Sequence, residues 1–585
     1  ATDGTVIGDV VMIKGTATVT PTSVTGGSDR GNRAITAIGQ DSSGNPNSVT
    51  VNAVDSDKAT NSITLVANNK AQITVNDSTV GNTVIGSTGK PANPGVEIKN
   101  SVFIKDPNRL RADGSSKDNV GAAYANNEAT ITINKANPQS VANISIIGGV
   151  DDTKKNVGFG LFADNNAKIN AQNNWIKVTN GATNIASLGT AEIDLKGATV
   201  EYKGEGYALY TDSTSKTSGA IDMTSGKLIL SGKAVGYVRD LNSPNTLTFS
   251  NTDLEINSDD VIVSDLRNTG GTVTVDVENN PSNRLRDQLL GTGLNPVTSA
   301  TGATRYKYAV VDNAQINIKS AVDKASSITD SDSEVFTKRF LYQNSKIDVT
   351  TAGSVKAELD DTQMKAIDVN LKTPVGLAVT ASAQTKDNDT TGISNSGTVS
   401  ADRTVGSDRG GIGLYVDYGY INNNAAGTVN VEKGTVNNPN DKAIGIFGTN
   451  STKIVNDGKV NAGGKKSIGI LGLSYRIDSK TGLAIDPKTE TYYDNVTTHS
   501  GHHPFGVVDV ENGATGKITM DNDGAVGMFV KNNSTDKNSS GNYVVTNASD
   551  IKTKNETRGV NKGEITINGN NSAVGMGADN GTVTN

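Results

Sequence analysis

Cysteine is absent from this sequence of 585 residues. The chain therefore has no disulfides, no thiolate ligands for a metal and no cysteine nucleophile. A long chain without cysteine also suits export through an oxidising compartment, because no wrong disulfide can trap it while it is unfolded. We expect a secreted protein.

Aromatic residues, long apolar runs and basic clusters are also scarce or missing. Aromatics make up 4 % of the chain, with one tryptophan, Trp175, and apolar residues make up 34 %. With 64 glycines, this composition suits a narrow aliphatic solenoid better than a thick globule. No apolar run is long enough for a membrane-spanning helix. The net charge of −7 is spread along the chain, so we do not expect nucleic acid as a partner.

One short phrase recurs along the chain. It alternates large apolar residues with small ones, which is the period of a β-strand and not of a helix. A second phrase, G-x-[IV]-x-[IVM], follows it after polar turn residues. Copies of the first phrase begin at Gly411, Ala443, Ser467, Ala525 and Ala573, with a looser copy at Ala234; copies of the second begin at Gly427, Gly516 and Gly563.

The spacing of these copies predicts the fold. From Ile412 onward, the successive intervals to the next Ile or Val of the phrase are 32, 24, 58 and 48. We interpret the shortest interval as the basic unit, the last as two units and the third as two units with an insertion. A unit of about 24 residues accommodates three short strands and three turns, which is one coil of a parallel β-helix. We therefore predict an all-β, three-sided, right-handed parallel β-helix with loop insertions.

Stacked coils would align equivalent residues into ladders about 4.8 Å apart. We expect the glycine between the two ladder residues of each phrase either to face outward or to lie where the backbone bends and a side chain would crowd. One inward ladder is predicted to contain Ile444, Ile468, Val526 and Val574, and the next to contain Ile446, Ile470, Met528 and Met576.

The pattern divides the chain into four segments. Residues 1–150 form a β-rich N-terminal segment, and residues 151–280 form further coils. Residues 281–345 change character, and we predict an irregular excursion there with short helices at 283–290 and 331–342; the alternative is a set of longer turns. Residues 346–585 resume the coils and carry a loop insertion at 475–505. We also expect the chain to be a piece of a longer protein, because its last residues stop within the repeated phrase.

Few residues point to catalytic or metal chemistry. The three histidines lie together but lack further ligands at a familiar spacing, so we predict no metal site. Two groups of alternating carboxylates do not match a calcium-loop spacing. No serine-nucleophile or phosphate-binding motif occurs, and we expect no cofactor and no enzymatic activity. The carboxylate groups considered are Asp330, Asp332 and Glu334, and Asp521 with Asp523.

The insertion at 475–505 is the predicted binding site. It concentrates tyrosine, arginine and histidine, which anchor many binding surfaces, in a chain otherwise poor in aromatics. Loops that leave a rigid scaffold commonly carry recognition; the alternative is a loop that only covers apolar coil surface. The candidate binding residues are Tyr475, Arg476, Tyr492, Tyr493, His499, His502 and His503.

These phrases, together with the absence of cysteine, resemble the passenger domains of type V autotransporters, and most closely the very large fusobacterial outer-membrane adhesins. The resemblance is strong over 392–585, moderate over 150–280, and weak over 1–150 and 281–345. Residues 571–577 also look like a head repeat of trimeric autotransporter adhesins, although those repeats are shorter than the interval found here, which favours the first family. The family has a signal peptide and a C-terminal membrane β-barrel; this sequence shows neither, so we expect membrane attachment only through a barrel beyond these residues.

The resemblance implies a monomeric, extracellular passenger at the bacterial outer membrane. Such a protein would act as a rigid rod presenting loops, and its expected partners are host cell-surface proteins or glycans, or other bacteria, with roles in coaggregation and virulence. The alternative function is an enzyme acting on a polysaccharide, since parallel β-helices also host paired carboxylates. A ladder of acidic and aromatic residues on one outer side would favour the enzyme.

Overall fold

The computed structural model describes twenty-seven stretches of the chain, and within them every regular element is a β-strand. Two compact units are distinguished: residues 1–270 with 288–309, and residues 271–287 with 310–585. The described residues are 5–7, 10–12, 16–19, 23–25, 35–51, 54–55, 59–60, 63–76, 96–101, 120–150, 156–241, 245–258, 261–267, 273–278, 293–296, 307–321, 340–359, 375–380, 391–403, 411–417, 419–431, 443–449, 452–474, 508–532, 558–569, 571–579 and 581–585.

The strands are short, from two to seven residues. Up to residue 267 they are β1 (Thr5–Ile7), β2 (Val10–Met12), β3 (Thr16–Val19), β4 (Ser23–Thr25), β5 (Ile35–Ile38), β6 (Ser48–Val51), β7 (Val54–Asp55), β8 (Ala59–Thr60), β9 (Ile63–Asn68), β10 (Gln72–Val75), β11 (Val96–Ser101), β12 (Gly121–Asn126), β13 (Thr130–Ile133), β14 (Ile144–Ile147), β15 (Gly149–Val150), β16 (Asn156–Val157), β17 (Phe159–Ala163), β18 (Lys168–Asn170), β19 (Trp175–Thr179), β20 (Thr183–Ser187), β21 (Glu192–Asp194), β22 (Thr199–Lys203), β23 (Tyr207–Thr211), β24 (Ser218–Asp222), β25 (Lys227–Ser231), β26 (Val235–Asp240), β27 (Asn245–Thr248), β28 (Thr252–Ile256) and β29 (Ile262–Arg267).

From residue 273 onward the strands are β30 (Val273–Val277), β31 (Leu294–Pro296), β32 (Lys307–Asp312), β33 (Ala314–Ile318), β34 (Phe340–Gln343), β35 (Lys346–Val349), β36 (Ser354–Leu359), β37 (Val375–Thr380), β38 (Gly392–Asn395), β39 (Thr398–Arg403), β40 (Ile412–Asp417), β41 (Tyr420–Asn423), β42 (Thr428–Val431), β43 (Ile444–Thr449), β44 (Lys453–Asn456), β45 (Lys459–Ala462), β46 (Ile468–Ser474), β47 (Asp509–Asn512), β48 (Lys517–Met520), β49 (Val526–Asn532), β50 (Arg558–Asn561), β51 (Glu564–Ile567), β52 (Val574–Asp579) and β53 (Thr582–Thr584).

The first unit is a parallel β-helix with three long sheets. Successive coils add strands to each sheet, and the strands of these sheets pair in parallel with the strand about three elements earlier; β15 and β16 form a separate antiparallel pair. Sheet 1A contains β2, β5, β9, β12, β17, β20, β23, β26 and β29. Sheet 1B contains β3, β6, β10, β13, β18, β21, β24 and β27. Sheet 1C contains β7, β8, β11, β14, β19, β22, β25, β28 and β31.

The second unit repeats the same architecture, and the all-β parallel β-helix predicted from the repeats is confirmed. Sheet 2A contains β34, β37, β40, β43, β46, β49 and β52. Sheet 2B contains β30, β33, β35, β38, β41, β44, β47, β50 and β53. Sheet 2C contains β36, β39, β42, β45, β48 and β51.

The length of one coil differs from place to place. Ile444 pairs with Ile468, so this coil has the length predicted for the basic unit. Ile468 pairs directly with Val526, and Val526 pairs directly with Val574. The interpretation of these two longer intervals as two units each is therefore wrong. Each interval is a single coil, because the extra residues lie between strands and add no rung to the sheets.

The register of the predicted ladders is confirmed, but the direction of the first ladder is wrong. Ile444, Ile468 and Val526 are only half-buried in interior coils, so this row lies on the outer side of sheet 2A. Ile446 and Ile470 are fully buried, as predicted for the second ladder. The strand bends within the phrase, and burial therefore does not alternate strictly along it.

The glycines of the phrase in the interior coils, Gly445, Gly469 and Gly527, are buried and do not face outward, whereas Gly575 on the last rung of sheet 2A is exposed. A Cβ on Gly445 would overlap the side chain of Val460 in sheet 2C and crowd the carbonyl of Gly469 in the next coil. A Cβ on Gly469 would likewise overlap the side chain of Ile518 in sheet 2C and crowd the carbonyl of Gly527 in the next coil. Of the two predicted placements, crowding at a backbone bend is the correct one, because only glycine admits this close approach.

The corner between sheets 2B and 2C is held by a ladder of buried asparagines. Each side-chain Nδ2 donates to the Oδ1 of the asparagine one coil further on, over 2.7 to 2.8 Å. The first four members are at most 1 % exposed, so these hydrogen bonds satisfy polar groups in the interior. The members of this asparagine ladder are Asn395, Asn423, Asn456, Asn512, Asn561 and Asn585.

The described part of the segment 281–345 consists of β-strands. The helix predicted at 331–342 is wrong at its end, where Phe340–Gln343 forms β34 of sheet 2A. The apolar pair Phe340 and Leu341 that suggested a helix belongs instead to this strand. Residues 283–290, where the other helix is predicted, lie outside the described residues.

Candidate functional site

The predicted binding insertion lies outside the residues that the structure describes. The chain leaves sheet 2A at Ser474, the last residue of β46, and is described again from Val508, just before β47 of sheet 2B. The assignment of binding to this corner stays a prediction. The residues concerned are Tyr475, Arg476, Tyr492, Tyr493, His499, His502 and His503.

The outer side of sheet 2A carries two apolar rows, the first of which the sequence analysis placed in the core. The first row contains Ile444 and Ile468, and the second contains the half-buried Phe447 and, in register with it, Leu471, which is buried. Tyr415 joins the second row one coil earlier, with its ring centroid 5.2 Å from that of Phe447. The two rings are tilted by 41° to each other and contact along the coil axis, because they lie on adjacent coils.

The outer side of sheet 1B is polar and uncharged over four successive rungs. Two rows of side chains run along it, and in each row the residues of neighbouring strands are paired directly. In one row Thr18 pairs with Thr50, Thr50 with Thr74, and Thr74 with Thr132. The inward residues between these rows, such as Ile73 and Ile131, are fully buried. We name this surface the hydroxyl face. Its residues are Thr16, Thr18, Ser48, Thr50, Gln72, Thr74, Thr130 and Thr132.

A hollow of about 330 Å³ lies at the end of the hydroxyl face. Its position follows from the local sequence, because β13 ends at Ile133 and the polar residues after it turn toward sheet 1C. The side chains are linked across coils: Asn170 Nδ2 lies 3.4 Å from Thr132 Oγ1, and Gln172 Nε2 donates to Asp194 over 2.7 Å. The hollow is lined by Thr132, Ile133, Asn134, Lys135, Asn170 and Gln172.

Beyond the hollow, the outer side of sheet 1B becomes charged and internally paired. Glu192 bonds to Lys216 and lies 3.3 Å from Lys168, one coil on each side. The hydrogen bond from Lys216 is the main cause that holds the pKa of Glu192 below its ordinary value, with Lys168 adding to it. Burial raises the pKa of Asp222, but hydrogen bonds from Thr224 and Lys196 outweigh it and lower the pKa overall.

The carboxylates considered for calcium serve other roles where the structure describes them. Asp521 accepts a hydrogen bond from Asn568 over 3.0 Å, and Asp523 accepts one from the backbone N–H of Asn571 over 3.0 Å. These bonds link successive coils. Within the described ranges no three or more histidine, aspartate or glutamate side chains gather as a metal site would need. Asp330, Asp332 and Glu334 lie outside those ranges.

Sequence reasoning did not single out the hydroxyl face. The signal was present as T-x-T and closely related triplets at 16–18, 48–50, 72–74 and 130–132, each beginning a short strand. Uneven spacing between these triplets hides their alignment until the pairing of the strands is known.

Comparisons with protein-family models, curated proteins and solved structures find no match to this chain. Among the described residues, none forms a helix of the length and apolarity that crossing a membrane requires.

Proposed function

We propose that this chain is a passenger segment of a bacterial surface adhesin, whose stacked coils present loops to host receptors, host glycans or partner bacteria. The observation that carries the proposal is the constancy of sheet 2A. Its register is the same across the shortest coil, from Ile444 to Ile468, and the longest, from Ile468 to Val526, so the scaffold accepts long insertions without losing alignment. A rigid scaffold with variable loops is the arrangement typical of recognition proteins.

The electrostatics of the described carboxyl groups support an adhesin over a polysaccharide-cleaving enzyme. The general acid of a glycoside hydrolase needs a carboxyl group with a raised pKa. Every described carboxyl group with a shifted pKa shifts downward, because lysine, threonine or amide donors stabilise its charged form. These groups are Asp41, Glu192, Asp222, Glu255, Asp276 and Glu564.

On the outer side of sheet 1C, the tryptophan contacts a carboxylate that is already held in an ion pair. Trp175 donates through Nε1 to Glu201 over 3.0 Å, but Glu201 is already 2.6 Å from Lys177. Glu255 is likewise paired with Lys227 at 2.5 Å. The hydrogen bond from Lys227 lowers the pKa of Glu255, which makes this carboxyl group a poor proton donor at neutral pH.

Excision of residues 476–504 tests the proposal at its predicted binding site. The purified chain and the excised variant are compared for binding to host cells and to partner bacteria. Because the ends of this insertion join adjacent strands of one coil, the stack should remain folded and binding should fall to background. A matched control removes residues 534–556, between β49 and β50. Equal cell binding by both excised chains and the parent would contradict the assignment of binding to 475–505.

A further inference from the structure

The hollow beside sheet 1B presents side-chain oxygens that a ligand can reach. The side-chain oxygens of Asn134, Asn170 and Gln172 accept no hydrogen bond from the described part of the chain, while their amide nitrogens are engaged by neighbouring coils. The nitrogens hold the side chains in place, and the oxygens remain available to a ligand. A ligand that fits must therefore bring several hydrogen-bond donors into a space of about 330 Å³.

The hydroxyl face extends this site along the coil axis. Neighbouring rungs lie about 4.8 Å apart, and the two rows lie about 6.6 Å apart, because alternate residues of a strand point to the same side. Threonine and serine hydroxyls both donate and accept hydrogen bonds. A linear chain of sugar rings presents hydroxyl groups at a closely similar repeat and with the same dual chemistry.

The charge and composition of the hydroxyl face narrow the ligand class. None of its eight residues is charged, so the hydroxyl face offers no ionic contact to an acidic glycan or to nucleic acid, and Lys135 is the one charged residue that lines the adjoining hollow. It also contains no aromatic, methionine or arginine residue, which are the usual anchors of a protein interface. The charged residues Lys168 and Glu192 follow only on the next two rungs.

We propose that the hydroxyl face and the adjoining hollow bind a neutral, linear polysaccharide laid along the stack of coils. Asn134, Asn170 and Gln172 accept hydrogen bonds from one sugar residue in the hollow. Thr132, Thr74 and the preceding rungs bond to the sugar residues that follow. The inference rests on the adhesin function proposed above and identifies for it a second attachment site, separate from the 475–505 insertion.

Affinity electrophoresis of the whole chain tests this site. The gels contain a neutral β-glucan, mannan or galactan, and parallel gels contain heparin or polygalacturonate. We expect at least one neutral polysaccharide to retard the chain and the charged ones to leave its mobility unchanged. In the Thr74→Val/Thr132→Val variant, the association constant should fall about fivefold for each hydroxyl removed. Valine keeps the β-branched shape, so the strands should persist.

The matched control is Thr199→Val, a half-buried threonine on the outer side of sheet 1C. It should bind polysaccharide as the parent does, and all variants should give the same circular dichroism spectrum and proteolytic pattern. Absence of retardation by every neutral polysaccharide overturns the proposal. So does retardation that is unchanged in the double variant, or retardation by the charged polysaccharides alone.

Cell binding measured in parallel separates this inference from the proposed function. A chain that binds cells but no neutral polysaccharide refutes the polysaccharide site and leaves the adhesin proposal standing. If the chain binds neither cells nor a neutral polysaccharide, both the polysaccharide site and the adhesin proposal are refuted. A chain that binds a neutral polysaccharide through Thr74 and Thr132 supports the site, whichever cells it recognises.

Discussion

Replacing Asn456 with alanine should loosen the second unit locally. Asn456 is fully buried, donates through Nδ2 to Asn512 over 2.7 Å and accepts through Oδ1 from Asn423 over 2.7 Å. Alanine removes both hydrogen bonds. Asn512 Oδ1 then loses its donor in the interior, whereas Asn423 Nδ2 keeps a bond to the carbonyl of Lys459 at 3.2 Å.

The expected magnitude follows from these partners. Each neutral hydrogen bond contributes about 1 kcal/mol net, and an acceptor left unpaired in the interior adds roughly another 1 kcal/mol. The local free energy of opening should therefore fall by about 2–3 kcal/mol, which corresponds to a loss of roughly 30- to 150-fold in protection. Asn456→Asp should be worse at neutral pH, because a carboxylate offers Asn512 no donor and is itself buried.

Hydrogen–deuterium exchange of the intact chain is the suitable assay, because stacked coils open locally. Backbone amides of β44, which contains the substitution, and of β47, which pairs with it, should lose protection. Amides of the first unit, such as those of β22, should not change. For Asn456→Asp, protection should recover partly as the pH falls, since a protonated carboxyl group can donate to Asn512.

The matched control is Asn461→Ala in the same coil. Asn461 makes an equivalent amide bond to Asn430 over 2.8 Å, but it is half-buried on the outer side, where water can replace the lost partner. In the Asn461→Ala variant, we expect the exchange protection of the neighbouring backbone amides to change less than threefold. Similar losses in the Asn456→Ala and Asn461→Ala variants would refute the reasoning that burial of the asparagine ladder determines its contribution.

Three further predictions concern other features. Gly469→Ala should destabilise the second unit by roughly 1 kcal/mol or more, seen as faster proteolysis, because its methyl would overlap Ile518; Gly575→Ala, with open space around it, should not. The pKa of Glu192 is lowered from its ordinary value of 4.5, so this group stabilises the folded chain above pH 4.5, and the stabilisation is lost as the pH falls further. Glu192→Gln should remove this acid dependence of stability, which is small because Glu192 and Lys216 are partly exposed. Burial raises the pKa of Tyr237 to about 12, so the neutral phenol stabilises the fold below pH 10, and this stabilisation is lost as the pH rises toward 12. In an absorbance titration, the tyrosine ionisation step near pH 12 should be smaller in the Tyr237→Phe variant.

The repeated phrase was sufficient to predict which residues pair across coils. Ile444, Ile468, Val526 and Val574 occupy equivalent positions in four successive strands of sheet 2A, as the recurrence of the phrase predicts. Similar local sequences produce similar local geometry, so the register could be predicted without knowing the length of any insertion.

The inward and outward directions could not be predicted from alternation alone. In β43 the burial pattern has two consecutive buried residues, Gly445 and Ile446, between the half-buried Ile444 and Phe447. A bend at the glycine interrupts the two-residue period on which the prediction relied. The interpretation of the two long intervals as two coils each was wrong for a related reason. An interval counts residues, and a long corner adds residues without adding a strand.

The asparagine ladder was missed because asparagine is ordinarily read as a turn residue at the surface. Its signal is an asparagine that recurs two residues after a buried Ile or Val of sheet 2B, as in Ile454 and Asn456 or Val510 and Asn512. Recognising it requires the pairing of strands, because the amide is satisfied only by the asparagine of the next coil.

The unequal coils of the second unit imply an order of folding. Closing the long coil from Ile468 to Val526 costs only about 0.8 kcal/mol more in chain entropy than closing the short coil from Ile444 to Ile468, because closure entropy grows with the logarithm of length. The longer corner therefore lowers the stability of the folded unit only slightly. Kinetically, contacts between residues close in sequence form first, so the coil joining β43 to β46 should form early and serve as the template on which β49 is laid down.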